Sequence, residues 1–332
     1  MTIRDQRAII ATLKTQSILL IAADALVRVY ALRPGVDTNQ ASTLRSITAI
    51  LSSSWFVLLI ADEIDIHLRH RAGRMTTGDH LRDVARQAAY AFVGLWLYTW
   101  AFSDDSGMGP LTWLRDWGKS AVVGFVATKL AFTLLDLCLY RLRWQRMSGT
   151  PVLAALGVIA TGFVALYLTI PQIQTWANTS YPLRLSTLPP LVLVLYALSK
   201  WIADRLERIL RALEAYLAVL TAVGITGFLA WVASFSLAPP TVQRLLVWIV
   251  YLTIFMLSLN LARVFSDLNY PPIAYIAARF YPIAILLPLN AQLFRPIYAP
   301  LFDYTLLFVT VGGLATVTAS IGMATFLSPT RR

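Results

Sequence analysis

Asp62, Glu63, Asp65, His67 and His70 crowd the end of an apolar run that begins near Trp55, and Arg69 and Arg71 are interleaved with them. Carboxylates close to an imidazole can hold a divalent cation. On a helix Asp62 and Asp65 share one face, while Glu63 points about 100° away. Asp62, Asp65 and His67 are therefore candidate metal ligands, although their spacing matches no specific metal motif. The alternative is a helix end at the lipid headgroups, with its acids paired to Arg69, Arg71 and Arg74. His80 follows in the same polar loop and, like the other two histidines, suits a pH sensor or a solvated position.

A second set of groups stands inside apolar runs, where each charge is expensive in hydrocarbon. Asp24 and Arg28 are four apart and can pair on one helix face. Lys129 and Asp136 are seven apart and also face one way. Arg279 has no acid at helical spacing. It lies near Pro282 and Pro288, where a helix should kink and expose carbonyls. Arg279, Lys129, Asp24, Arg28 and Asp136 are the candidates for lining or gating a polar route. In that reading Arg279 and Lys129 attract an anion, or Asp24 and Asp136 relay a cation or proton. The alternative is a set of neutral pairs that lock helices together, with Lys129 and Arg279 reaching towards the interface.

Other chemistries lack their residues. There is no Gly-rich phosphate loop and no Gly-x-Ser-x-Gly elbow. Gly312-Gly313 sits inside an apolar run and is no nucleotide fingerprint. No histidine lies inside a span, which argues against haem held between helices. The single cysteine, Cys138, reads as a packed small side chain and excludes an intramolecular disulfide. No cofactor is expected.

The elements that must position these groups follow from composition. Of the 332 residues 58% are hydrophobic and 14% are charged, and the mean hydropathy is +0.64. Soluble domains carry about 25% charged residues. The apolar runs approach the length that crosses a bilayer, about 20 residues. A membrane barrel would instead alternate in segments of about ten residues. The expected fold is all-α: one membrane domain, 1–332, forming a polytopic transmembrane helix bundle of about ten spans. These lie near 15–32, 46–66, 85–103, 120–140, 151–171, 187–203, 213–234, 242–264, 271–290 and 302–327. Residues 191–223 also admit one long bent helix, which gives nine spans. The odd-numbered spans start at fairly regular intervals, which admits five helical hairpins.

The net charge of +11 sits mostly at the ends of apolar runs. That is a topogenic pattern, not a nucleic-acid surface. Arg69, Arg71, Arg74, Arg82 and Arg86 fall on one side, with Arg141, Arg143 and Arg146. Few basic residues fall on the other. Both termini are then expected in the cytoplasm, with short tails at 1–14 and 328–332 and an uncleaved first span. Trp113, Trp117, Trp176 and Tyr181 read as interfacial anchors. Trp201 to Glu214 reads as a helical extension beyond the bilayer, held by Asp204–Arg208 and Glu207–Arg211 pairs. In the last span Gly312, Ala315, Ala319 and Gly322 form a stripe for close packing, or, with Thr316, Thr318 and Ser320, a narrow pore lining.

The span count and orientation resemble the plan of the tellurite-resistance and plant guard-cell anion channel family. No diagnostic motif of that family stands in this chain, and no membership is claimed. The leading expectation is a channel or secondary transporter for a small ion or solute in the cell membrane. The alternatives are a non-catalytic subunit or scaffold, and a lipid-modifying enzyme using Asp62, Glu63, Asp65 and His67. The expected partners are the lipid bilayer and a small ion or solute, with a homo-oligomer or membrane-complex partner as a further possibility.

Overall fold

The structure is a computed structural model. It describes residues 2–31, 53–73, 128–136, 189–237, 240–266, 271–302 and 307–327, with Tyr304 and isolated residues at 44–51, 78–89 and 151–162. Most of the expected spans at 85–103, 120–140 and 151–171 lie outside the described residues, as do His80, Cys138 and the four interfacial aromatics. Regular structure among the described residues is helical throughout.

The helices are α1 (Ile3–Ala31), α2 (Ser53–Arg71), α3 (128–136), α4 (Pro189–Ala215), α5 (Leu217–Leu237), α6 (Pro240–Ser266), α7 (Pro271–Ala278), α8 (Phe280–Leu293), the single turn α9 (Arg295–Tyr298), and α10 (Gly313–Leu327), which follows a π-helical turn at Phe308–Gly312. Among the described residues three stretches are long and apolar enough to cross a membrane: Arg4–Tyr30, Ile249–Ser266 and Phe308–Phe326. The number rises to five if the bent pairs α4–α5 and α7–α8 each count as one span. The full ten-span bundle is not reached among the described residues. α2 is not one of the crossing stretches, because its second half carries Asp62, Glu63, Asp65, Arg69 and Arg71.

The chain divides into two compact units, Met1–Leu58 with Glu207–Arg332, and Leu59–Leu206. In the first, α1 is the central element and packs on α6, α7, α8 and α10. It starts earlier than the 15–32 span because residues 3–14 are helical and packed. Thr2 and Asp5 form a reciprocal cap: Thr2 N donates to Asp5 Oδ2 at 2.7 Å, and Asp5 N donates to Thr2 Oγ1 at 3.2 Å. Ile10, Leu13, Ile18 and Ile21 are buried beside Thr12, Thr15 and Ser17. Those three hydroxyls donate to carbonyls one turn back, which lets polar residues sit in an apolar core. Polarity in the first turns of this chain therefore marks interior hydrogen bonding.

Both helix breaks are sharp. α4 and α5 meet at 82° about Tyr216, and α7 and α8 at 85° about Arg279. The second has a cause in the sequence. Pro282 has no N–H to give the carbonyl of Ala278, and its ring clashes there. α7 accordingly stops at Ala278. Pro288, within α8, does not break the helix. The first break falls within 191–223, so this stretch is a bent pair that counts as one span in the nine-span alternative and as two in the ten-span one. Within α4, Glu207 and Arg211 pair at 3.6 Å as expected, while Asp204 meets Arg71 at 3.0 Å.

The last helix corrects one expectation. Its buried line is Gly312, Thr316, Ser320 and Ala324, four apart, whereas Ala315 and Gly322 are exposed. The hydroxyls decide which face turns inward. Tyr298 donates to the Gly312 carbonyl at 3.1 Å and lies 2.7 Å from Thr316 Oγ1. Asn290 Nδ2 donates to Ser320 Oγ at 2.9 Å. Burying these groups in partnership is worth more than burying a smooth but featureless stripe. An aromatic knot closes the end of this packing, with Tyr30, Phe302 and Tyr298 around Phe308.

Close backbone approach occurs instead between α5 and α6. A Cβ added at Gly224 would stand 2.6 Å from Thr253 Cγ2, and one at Gly227 would stand 3.2 Å from Ile249 Cγ2. Thr253 is fixed by its hydroxyl, which donates to the Ile249 carbonyl at 2.8 Å, so its methyl cannot turn aside freely. Gly224→Ala should destabilise the protein by about 1–3 kcal/mol through overpacking. Thr253→Ser, which removes that methyl and keeps the hydroxyl, should restore most of the loss in the double variant. Thermal unfolding in detergent reads both. Equal melting of Gly224→Ala and wild type would contradict the contact.

Candidate functional site

The second unit contains the group that stands out chemically. Every residue of α2 from Ser53 to Leu68 is buried. Asp62, Glu63, Asp65 and His67 are therefore all inside, and no face of the helix is wet. Lys129 reaches α2 from α3. Its Nζ lies 2.6 Å from Asp62 Oδ2 and donates to Glu63 Oε2 at 3.1 Å. Lys129 is 2% exposed and Glu63 0%. Two turns along α3, Asp136 accepts a hydrogen bond from the Tyr196 hydroxyl of α4.

His67 stands one turn after Glu63, with Nε2 3.6 Å from Glu63 Oε1. The Tyr196 ring meets it edge to face at 5.6 Å, and Phe132 backs the same tyrosine. Neither His67 Nε2 nor Glu63 Oε1 makes a hydrogen bond. One donor atom each from Glu63, His67 and Asp136 lies within 4.8 Å of the others.

The structure thus gathers Lys129, Asp136, Asp62 and His67 from the sequence candidates into one cluster. Asp65 turns elsewhere and pairs with Arg69 at 2.7 Å. Arg71 pairs with Asp204. The remaining candidates belong to the first unit. Asp24 and Arg28 form the anticipated pair, both carboxylate oxygens 3.1 Å from Nε, with the arginine about half exposed. Arg279 is buried at the α7–α8 break with its guanidinium carbon 3.9 Å from the Tyr275 ring centroid. Its Nε makes no hydrogen bond.

One member of the cluster, Tyr196, was not singled out from sequence. Glu63 is named there only with the lipid-modifying alternative, since on a helical wheel it points away from the face shared by Asp62 and Asp65. The Glu63–His67 spacing of four was the available signal, since such residues lie on one face. Tyr196 carries no signal of its own in an apolar run.

No protein-family model, no curated protein and no solved structure matches this chain. The chemistry must therefore be read from the cluster itself.

Removing one partner from a buried ion pair leaves an uncompensated charge and costs about 3–5 kcal/mol. Lys129→Met should lower stability by that amount, because Asp62 and Glu63 stay behind. Combining it with Asp62→Asn and Glu63→Gln should recover most of the loss, as an apolar or neutral replacement of the whole group is often tolerated. Thermal unfolding of the purified variants tests this. A triple variant no more stable than the single one would show that Lys129 is not held by these carboxylates.

Proposed function

We propose that the chain is an integral membrane channel or secondary transporter for a small ion, and that the Asp62–Glu63–Lys129–Asp136 cluster lies on the ion's route. The supporting observation is that the cluster is not a closed neutral pair. Two carboxylates, Asp62 and Glu63, meet the ammonium of Lys129, Asp136 stands beside Glu63 and His67, and Glu63 Oε1 and His67 Nε2 make no hydrogen bond. A pair kept only to lock helices has no use for such atoms, each of which costs about 1–3 kcal/mol when buried. Buried ionisable groups with unsatisfied atoms are the kind that mark ion and proton pathways in membrane proteins.

The setting agrees with a bilayer. Ile249–Ser266 and Phe308–Phe326 are only 28% buried, and their free faces carry Leu261, Val264, Leu314 and Phe326. Lipid is the solvent such faces suit. The arginine bias favours the cell membrane with both termini cytoplasmic. Arg279 is the second candidate on a route, since a broken span with a buried cation at the break resembles the discontinuous helices of transporters.

The test is flux into liposomes from the purified full chain, with a panel of cations and anions under an imposed gradient. Asp136→Asn should reduce flux roughly tenfold or more, the scale of a 1.4 kcal/mol change. Arg279→Gln should alter it without preventing insertion. Wild-type flux in Asp136→Asn removes the cluster from the route. Absence of flux from folded, inserted protein removes the transport reading and favours a subunit of a larger complex.

A further inference from the structure

We infer that Glu63, His67 and Asp136 form a binding site for a divalent transition-metal cation. The inference names the ion class for the proposed transport reading and rests on that reading for the ion's role. Binding itself is a separate observable.

The geometry points to a cation between α2 and α3. Glu63 and His67 are four apart on α2, and Asp136 comes from α3. Lys129 occupies Glu63 Oε2, which leaves Oε1 turned towards His67 Nε2 at 3.6 Å. Neither of those two atoms makes a hydrogen bond, and both side chains are more than nine-tenths buried. A cation with bonds of about 2.1 Å holds its donors about 3.0–4.2 Å apart. Donor atoms within 4.8 Å of one another need to contract by at most about 1–2 Å, a distance that side-chain χ adjustments cover.

The donor types narrow the ion. One imidazole nitrogen with two carboxylates suits Mn²⁺, Fe²⁺ or Zn²⁺ better than Mg²⁺ or Ca²⁺, which take oxygen shells. Glu63 Oε1 and His67 Nε2 are buried donor atoms without a hydrogen bond, and a divalent ion supplies the partner they lack. Lys200, buried one turn beyond Tyr196, is the next cation out along α4. The Tyr196 hydroxyl on Asp136 is the outer contact that orients a metal-binding carboxylate. Three protein donors converge among the described residues, and an ion held by three donors keeps an exchangeable position for water, as an ion in transit requires.

The experiment uses the full chain in detergent, stripped with a chelator and titrated with Mn²⁺ and Zn²⁺ by calorimetry, followed by liposome flux of the same ions. Wild type should bind one equivalent. Glu63→Gln and His67→Gln should each weaken binding at least about tenfold while remaining monodisperse and helical. Glu207→Gln, an exposed carboxylate on α4, should bind like wild type. No uptake by folded wild type, or uptake unchanged in both variants, overturns the metal site. Binding with no flux of any ion keeps the metal site and overturns transport. Flux of other ions without metal binding does the reverse.

Discussion

A charge taken out of water must find its compensation within the protein, and in an apolar surrounding the requirement is severe. Lys129 meets it with Asp62 and Glu63, drawn from a helix distant in sequence. That contact fixes how α2 and α3 face one another within the Leu59–Leu206 unit. The Tyr196–Asp136 hydrogen bond then ties in α4. Around this polar centre the side chains are apolar and tightly buried, with Ile64, Leu68 and Phe132 fully inside. The ion pairs do not decorate an existing core. They determine which helix faces can form it.

The same requirement acts on backbone groups in the other unit. Breaking a helix frees carbonyls and amides, so breaks are tolerable only where something else satisfies them. At Arg279 the turn is partly repaired locally, since the Arg279 amide donates to the Ile276 carbonyl and its own carbonyl accepts from Ile283. α1 runs past this region, and Thr15 shares its hydroxyl between the Ala11 and Ile273 carbonyls. The buried Lys14 lies with its ammonium 4.5 Å from the Phe280 ring centroid. Polar residues that looked like a solvated tail thus serve the interior next to a broken helix.

How far the sequence could reveal this depends on the range of each interaction. Local rules worked where the cause was local. Asp24 and Arg28 pair because four residues bring them together, and Pro282 ends α7 because of a clash within one turn. Lys129 and Asp136 were legible as sharing a face. Their partners were not, since nothing in the α3 sequence points to α2. Glu63 is set apart from Asp62 and Asp65 because helical-wheel reasoning presumes a wet face and a dry one, and α2 has no wet face from Ser53 to Leu68. The last helix was misread for a related reason. Small residues permit close packing, yet Thr316 and Ser320 had hydroxyls to satisfy, and those turned inward.

The contrast between the two charged groups carries the functional argument furthest. Asp24 with Arg28 is complete in itself: opposite charges, good geometry and an arginine that still touches its surroundings. Such a pair holds its own helix and asks nothing more. The cluster at Glu63 differs in kind. A hydrophobic substitute for a buried ion pair is often as stable as the pair, so stability alone does not explain why three acids, a lysine, a histidine and a tyrosine converge on one interior point. Glu63 Oε1 and His67 Nε2 stay buried there without a hydrogen bond. Under the proposed transport reading, such unanswered atoms are what distinguish a place of passage from a structural lock.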